Sequence, residues 1–213
     1  MKKYNKSYKK GEPFRDARLF VIACEGAKRE KEYFEKLFPN TRRLKIKILS
    51  PKDDEDDNRA YSAPNKVLER VVKFVEKNNI NIKTGDKLWF VLDIDRWKDE
   101  IFHYVQQECE KNGWKLALSN PCFEVWLWLH FAEMSASKSA TCKQLKLEIS
   151  QTFQYNPNVF TQSAYYLAAC DKAKQTESAG FMPDFKTTKV HLLLGELLEM
   201  LGQNNIIHQK KSD

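Results

Sequence analysis

No stretch of this 213-residue chain approaches the roughly 20 consecutive apolar residues that cross a bilayer; the longest runs are Leu19–Cys24 and Val125–Ala132, the latter interrupted by His130. A membrane-spanning helix is therefore not expected. The first residues are positively charged, but no uninterrupted apolar segment or small-residue cleavage site follows them, so the expected location is the cytosol. The five cysteines, Cys24, Cys109, Cys122, Cys142 and Cys170, are scattered. Neither they nor the four histidines form the close pairs that zinc sites use, so they read as reduced, mostly buried thiols. No internal repeat marks a solenoid.

What is present is a chain able to build a core: 42% hydrophobic and 12% aromatic residues, with 31% charged ones. General disorder is excluded by that balance. The length suits one domain, or one domain with a modest appendage. A net charge of +7 makes an anionic partner such as nucleic acid a candidate and says nothing about fold.

Residues 1–18 carry seven Lys or Arg against Glu12 and Asp16, and read as a basic arm leading into the fold. Leu19–Cys24 has the continuous apolar character of a strand covered on both faces, closed by a turn at Glu25-Gly26. Helix periodicity follows over Lys28–Phe38, ended by Pro39. Leu44–Leu49 alternates apolar residues with lysines, as an edge strand does. Residues 50–64 combine two prolines with the acidic run Asp53–Asp57, which predicts a solvated loop rather than a calcium loop. Further on come a helix over Asn65–Lys77, a strand over Leu88–Ile94, a helix over Asp99–Lys111, a strand over Trp114–Leu118 and an aromatic-rich helix over Phe123–Phe131. This alternation predicts an α/β core at residues 19–134, a parallel sheet with helices on both faces. Residues 135–213 read as a helical C-terminal extension packed on it, with helices over Thr141–Phe153, Gln162–Lys174 and Thr188–Leu201 and turns over Gln154–Thr161 and Gly180–Thr187.

In an open parallel sheet, ligands bind at the carboxyl ends of the strands. Glu25 follows the first strand there, and Asp93 and Asp95 close the third. If strand geometry persists to Asp95, the spacing by two aims both aspartates to one side. Carboxylates held together repel unless a cation neutralises them, and oxygen ligands without nearby Cys or His pairs favour Mg²⁺ or Mn²⁺. Solvated acids at strand ends are the plainer alternative. Glu124, at the start of the aromatic helix, is a further possible ligand, or an ordinary first-turn acid complementing the helix dipole. Lys28, Arg29 and Arg96 could meet phosphate charge, or Arg96 could simply pair with Asp93 or Asp95. His130 reads either as a site residue or as a core or surface histidine.

The strand-turn Val21–Gly26, Glu32 and Phe34, the Asp93-x-Asp95 strand and above all the run S-N-P-x-F-E-x-W-x-x-x-H-F from Ser119 to Phe131 resemble the RloB family. That family in turn is similar to the Toprim superfamily, which uses a Glu after the first strand and D-x-D after the third in metal-dependent cutting or transfer of nucleic-acid phosphodiesters. The resemblance implies a Toprim-like fold. It makes Glu25, Asp93 and Asp95 the catalytic, metal-binding carboxylates for Mg²⁺ or Mn²⁺, with Glu124 a further site candidate able to serve a second metal. It adds Asn120 and His130 to Lys28, Arg29 and Arg96, which stand near the acids in sequence, as candidates for binding substrate. It also implies an antiviral, abortive-infection role beside an AAA-type ATPase, which would be a separate protein because this chain has no G-x-x-x-x-G-K-[ST] loop. The leading expectation is thus a divalent-metal-dependent nuclease acting on DNA or RNA. Its alternative is a non-catalytic nucleic-acid-binding or ATPase-partner subunit with a degenerate site. A phosphoacceptor receiver domain also clusters acids at these strand ends. It ranks low because the first site has one Glu where paired acids are usual, and because the helical C-terminal third leaves no place for a fifth strand carrying a Lys.

Overall fold

The computed structural model describes residues 17–38, 40–51, 63–78, 80 and 85–202. Most of the basic arm and the acidic run Asp53–Asp57 lie outside the described residues.

Four parallel strands form the centre of the molecule: β1 (Arg18–Cys24), β2 (Leu44–Leu49), β3 (Lys87–Asp93) and β4 (Lys115–Asn120). Along β1 every residue from Phe20 to Cys24 is fully buried, as its unbroken apolar sequence requires of a central strand. Alternate side chains enter different cores. Phe20, Ile22 and Cys24 join one cluster, Val21 and Ala23 the other. On β2, at the edge, Lys45 and Lys47 face solvent while Leu44 and Ile48 are buried.

Helices α2 (Pro64–Asn78) and α3 (Asp99–Asn112) supply Val67, Leu68, Val71, Phe102 and Val105 to the second core. Gly113 in the left-handed region, φ 70°, ends α3 just after Asn112. The other face is covered by α1 (Arg29–Leu37), α4 (Glu124–Leu129), α5 (Cys142–Phe153), α6 (Pro157–Phe160), α7 (Ser163–Gln175) and α8 (Val190–Met200). α4 is buried on every side, its Trp126 completely. Each such large apolar side chain contributes about 2–3 kcal/mol by leaving water. α5 starts at a capping box between Thr141 and Gln144.

The strand order is β2-β1-β3-β4-β5, so the chain reverses direction across the sheet between β1 and β3. That is the topological switch point at which doubly wound sheets hold ligands. The expected α/β parallel sheet flanked by helices, with a helical C-terminal part, is present. Two details differ from expectation. A fifth strand does exist: β5, only Thr187–Thr188, pairs antiparallel with β4 and is followed by the buried Lys189. Two residues are too short for any periodicity to reveal. The lysine is not a receiver-type lysine, because its Nζ donates to the Ser178 carbonyl (3.1 Å) and lies 3.9 Å from Glu177. The segment read as a turn over Gln154–Thr161 contains α6, a single helical turn capped by the Asn156 side chain.

Candidate metal centre

The first carboxylate stands where β1 ends. The Glu25 backbone N–H still donates to the Val91 carbonyl (3.0 Å), which fixes the residue against β3. Its side chain is 3% exposed. Oε2 accepts the Asp93 backbone N–H at 3.0 Å, and Oε1 accepts Trp97 Nε1 at 3.1 Å and Arg96 Nη2 at 3.2 Å. Burial raises the Glu25 pKa, and these donors work against the rise.

Asp93 is the last residue of β3 and is buried. Its Oδ1 accepts the backbone N–H of Phe123 at 2.9 Å, tying the end of β3 to the entrance of α4. Burial pushes its pKa well above the ordinary carboxylate range, and the neighbouring Glu30, Glu25 and Glu124 push in the same direction. Glu124, the first residue of α4, accepts from Arg29 Nη1 at 2.9 Å and lies 3.8 Å from Lys146 Nζ of α5. Arg29 in turn stacks on Tyr155, 5.1 Å from the ring centre.

Asp93, Cys122 and Glu124, all buried, each offer a donor atom, and these atoms lie within 4.8 Å of one another. The Cys122 thiol pKa is raised by its hydrogen bond with Cys142 and by burial. Behind this group sits Glu30, in the first turn of α1 and 8% exposed. Its carboxylate lies against Gly26, so closely that a Cβ there would make the Glu30 side chain shift. Burial, with Glu124 adding to it, lifts the Glu30 pKa to about 7. Lys146 loses by burial but is raised on balance by Glu124 and its neighbours.

At the switch point the Asp93 and Glu124 carboxylates lie close together, Glu25 is tied to the Asp93 backbone N–H, and Asp95 joins Glu25 through Arg96 rather than entering the close set. β3 ends at Asp93, so strand alternation no longer governs Asp95. Asp95 points to Arg96 Nε at 3.2 Å with its side chain 22% exposed. Arg96 pairs with both Asp95 and Glu25, rather than with one aspartate alone. Lys28 is exposed at the N-cap of α1. Asn120 donates its side-chain amide to the Pro183 carbonyl (3.0 Å), which anchors the loop before β5. His130 lies in the aromatic core. Its Nδ1 donates to the Trp126 carbonyl at 2.8 Å, and its Nε2 accepts the Tyr33 hydroxyl at 3.1 Å. Burial lowers its pKa to about 3, so it is neutral at physiological pH.

Three participants escape a reading of the sequence. Glu30 looks like any first-turn acid, Lys146 like any helix-surface lysine, and Cys122 like an isolated buried thiol. Cys122, in the turn between β4 and α4, lies next to Asp93 and Glu124, a sulfur donor that the oxygen-ligand expectation did not include. The donor set nevertheless suits a divalent cation. Buried carboxylates outnumber the cations facing them, and a metal ion relieves that repulsion.

The fold and this centre define an α/β protein with a buried carboxylate-rich site at the switch point of its sheet. The family profile described as RloB-like protein matches residues 20–197, and the chain belongs to that family. No curated protein and no solved structure matches it. Among the described residues no helix is long and apolar enough to cross a membrane.

Proposed function

We propose that the protein is a divalent-metal-dependent phosphodiesterase of the Toprim type that cleaves nucleic acid. The observation that carries this reading is the buried pair Asp93 and Glu124, grouped with Cys122 at the carboxyl edge between β1 and β3, with Glu25 held on the Asp93 backbone N–H beside them. A divalent ion bound there, Mg²⁺ or Mn²⁺ in the simplest case, would polarise a phosphoryl oxygen and stabilise the leaving oxygen. Asp93 and Glu124 are the side chains that would hold it, with Asp93 oriented by the Phe123 N–H. Glu30, with a pKa near 7, suits a base that takes the proton from the attacking water. Water adds to phosphorus as the ester P–O bond breaks, leaving a phosphate monoester and a hydroxyl. Arg29 and Arg96, each paired with one of these carboxylates, would meet substrate phosphates.

Family membership supports a role as effector of an antiviral, abortive-infection system, with a separate AAA-type ATPase as partner. The competing reading is a nucleic-acid-binding or ATPase-partner subunit that does not cut. One observation favours it: Asp95 is engaged with Arg96 at the rim rather than turned to Asp93 and Glu124. The two readings separate when the purified full chain is incubated with labelled DNA and RNA panels in Mg²⁺ and in Mn²⁺, beside Glu25→Gln. Ion-dependent cleavage that the variant lacks supports the enzyme. Retention of nucleic acid without cleavage under every condition supports the binding subunit.

A further inference from the structure

Cys122 is fully buried, yet it does not pack among apolar side chains alone. Its Sγ shares a 4.8 Å neighbourhood with carboxylate oxygens of Asp93 and Glu124. A buried cysteine ordinarily serves as a small hydrophobe, a role that gains nothing from two adjacent carboxylates. Its position is also rigidly set. Cys122 lies between β4 and α4, where the Val125 N–H donates to the Cys122 carbonyl (2.9 Å) and the next residue's N–H donates to Asp93 Oδ1 (2.9 Å). The same hydrogen bond that orients the Asp93 carboxylate therefore fixes the backbone beside the thiol, as a preorganised ligand set requires.

The spacing is also right. Oxygen and sulfur ligands at about 2.1 and 2.3 Å from one ion stand at most about 4.4 Å apart, so small side-chain rotations close the trio on a common centre. Thiolates favour borderline and soft ions, whereas Mg²⁺ selects oxygen donors and holds its water tightly.

We propose that Cys122 Sγ is a ligand of the metal centre, so that the centre takes a transition ion such as Zn²⁺ or Co²⁺ in preference to Mg²⁺. The inference rests on the metal-centre reading above and adds the donor that sets the choice of ion. On binding, the ion replaces the thiol proton, which passes to solvent.

Co²⁺ is the probe, titrated into the full chain after chelator treatment. The expected result is a sulfur-to-cobalt charge-transfer band that saturates at a single ion per chain. In Cys122→Ser the band disappears and Co²⁺ affinity falls by about tenfold or more, while Mg²⁺ affinity changes far less. Cys142→Ser keeps the band. Co²⁺ binding seen by calorimetry without the band would overturn the sulfur ligand and leave a carboxylate centre standing. A band that survives in Cys122→Ser would overturn the assignment as well. Absence of any saturable Co²⁺ binding would remove the centre itself, and the proposed function with it. X-ray absorption of the Zn²⁺-loaded wild type reads the same point without a variant: a sulfur neighbour at about 2.3 Å is expected, and a shell of oxygen and nitrogen alone refutes it.

Discussion

Replacing Glu30 with glutamine should stabilise the ion-free protein, and by an amount that depends on pH. Folding raises the Glu30 pKa from 4.5 to about 7. Below pH 4.5 the carboxyl is protonated in both the folded and unfolded chains and contributes nothing to the pH dependence. Between 4.5 and 7 the unfolded chain releases the proton while the folded chain keeps it, so wild-type stability declines as pH rises. At about 1.4 kcal/mol for each tenfold change in proton affinity, the full decline is roughly 3 kcal/mol. Glutamine has the same shape and does not titrate, so it removes this decline. Any cost of its extra amide donor is the same at every pH. Urea unfolding of both proteins in chelator at pH 4, 5.5 and 8 measures the difference. The advantage of Glu30→Gln should grow by roughly 3 kcal/mol across that range. A difference that stays constant with pH would refute the buried, repelled carboxylate. Saturating divalent ion should narrow the gap, because the ion's charge relieves the repulsion on the Glu30 carboxylate, which only the wild type carries.

Asp93→Asn should keep the acceptor for the Phe123 N–H, fold at least as stably as wild type in chelator, and lose ion-dependent cleavage, as thermal melts and nuclease assays would show. Asp95→Asn removes only a half-exposed pair with Arg96, so its stability should change by less than about 1 kcal/mol. Glu196 accepts from Trp89 Nε1 (2.7 Å) and Lys115 Nζ (2.8 Å), and these donors hold its pKa low against the opposing effect of burial. Glu196→Ala should therefore cost about 1.5–3 kcal/mol near neutral pH in denaturant unfolding, the loss shrinking as acid protonates the wild-type carboxylate. Deleting residues 2–12 removes five lysines and Glu12. Nucleic-acid affinity should drop and its dependence on salt should flatten, with cleavage at saturating substrate intact; unchanged affinity and salt slope would mean the arm does not touch nucleic acid.

The sheet was legible because its strands carry local signals. The unbroken run in β1 marks a central strand and the Lys alternation in β2 marks an edge, and each lies where those patterns place it. The strand ends that carry Glu25 and Asp93 were legible too, and β1 and β3 pair side by side, so that Glu25 accepts the Asp93 backbone N–H. What failed depended on where elements end or on contacts between distant segments. The condition set for Asp95, that strand geometry persists to it, is not met, because β3 ends at Asp93 and Asp95 pairs with Arg96. Glu30 packs its carboxylate against Gly26, a fact of packing that no spacing encodes. Cys122 and Lys146 arrive from a strand-helix junction and from α5, and their chemistry exists only after the C-terminal helices have packed on the same core as β1. The histidine in the S-N-P-x-F-E-x-W-x-x-x-H-F run proved to be a core residue held by Tyr33 and the Trp126 carbonyl.

Calorimetric titration of Mn²⁺ into the chelator-treated full chain, beside Asp93→Asn, tests most directly whether the buried carboxylates form a metal centre. Saturable binding by the wild type that the variant loses, with both proteins folded, is the result expected here. Equal binding by the two proteins, or no saturable binding by the wild type, would contradict it.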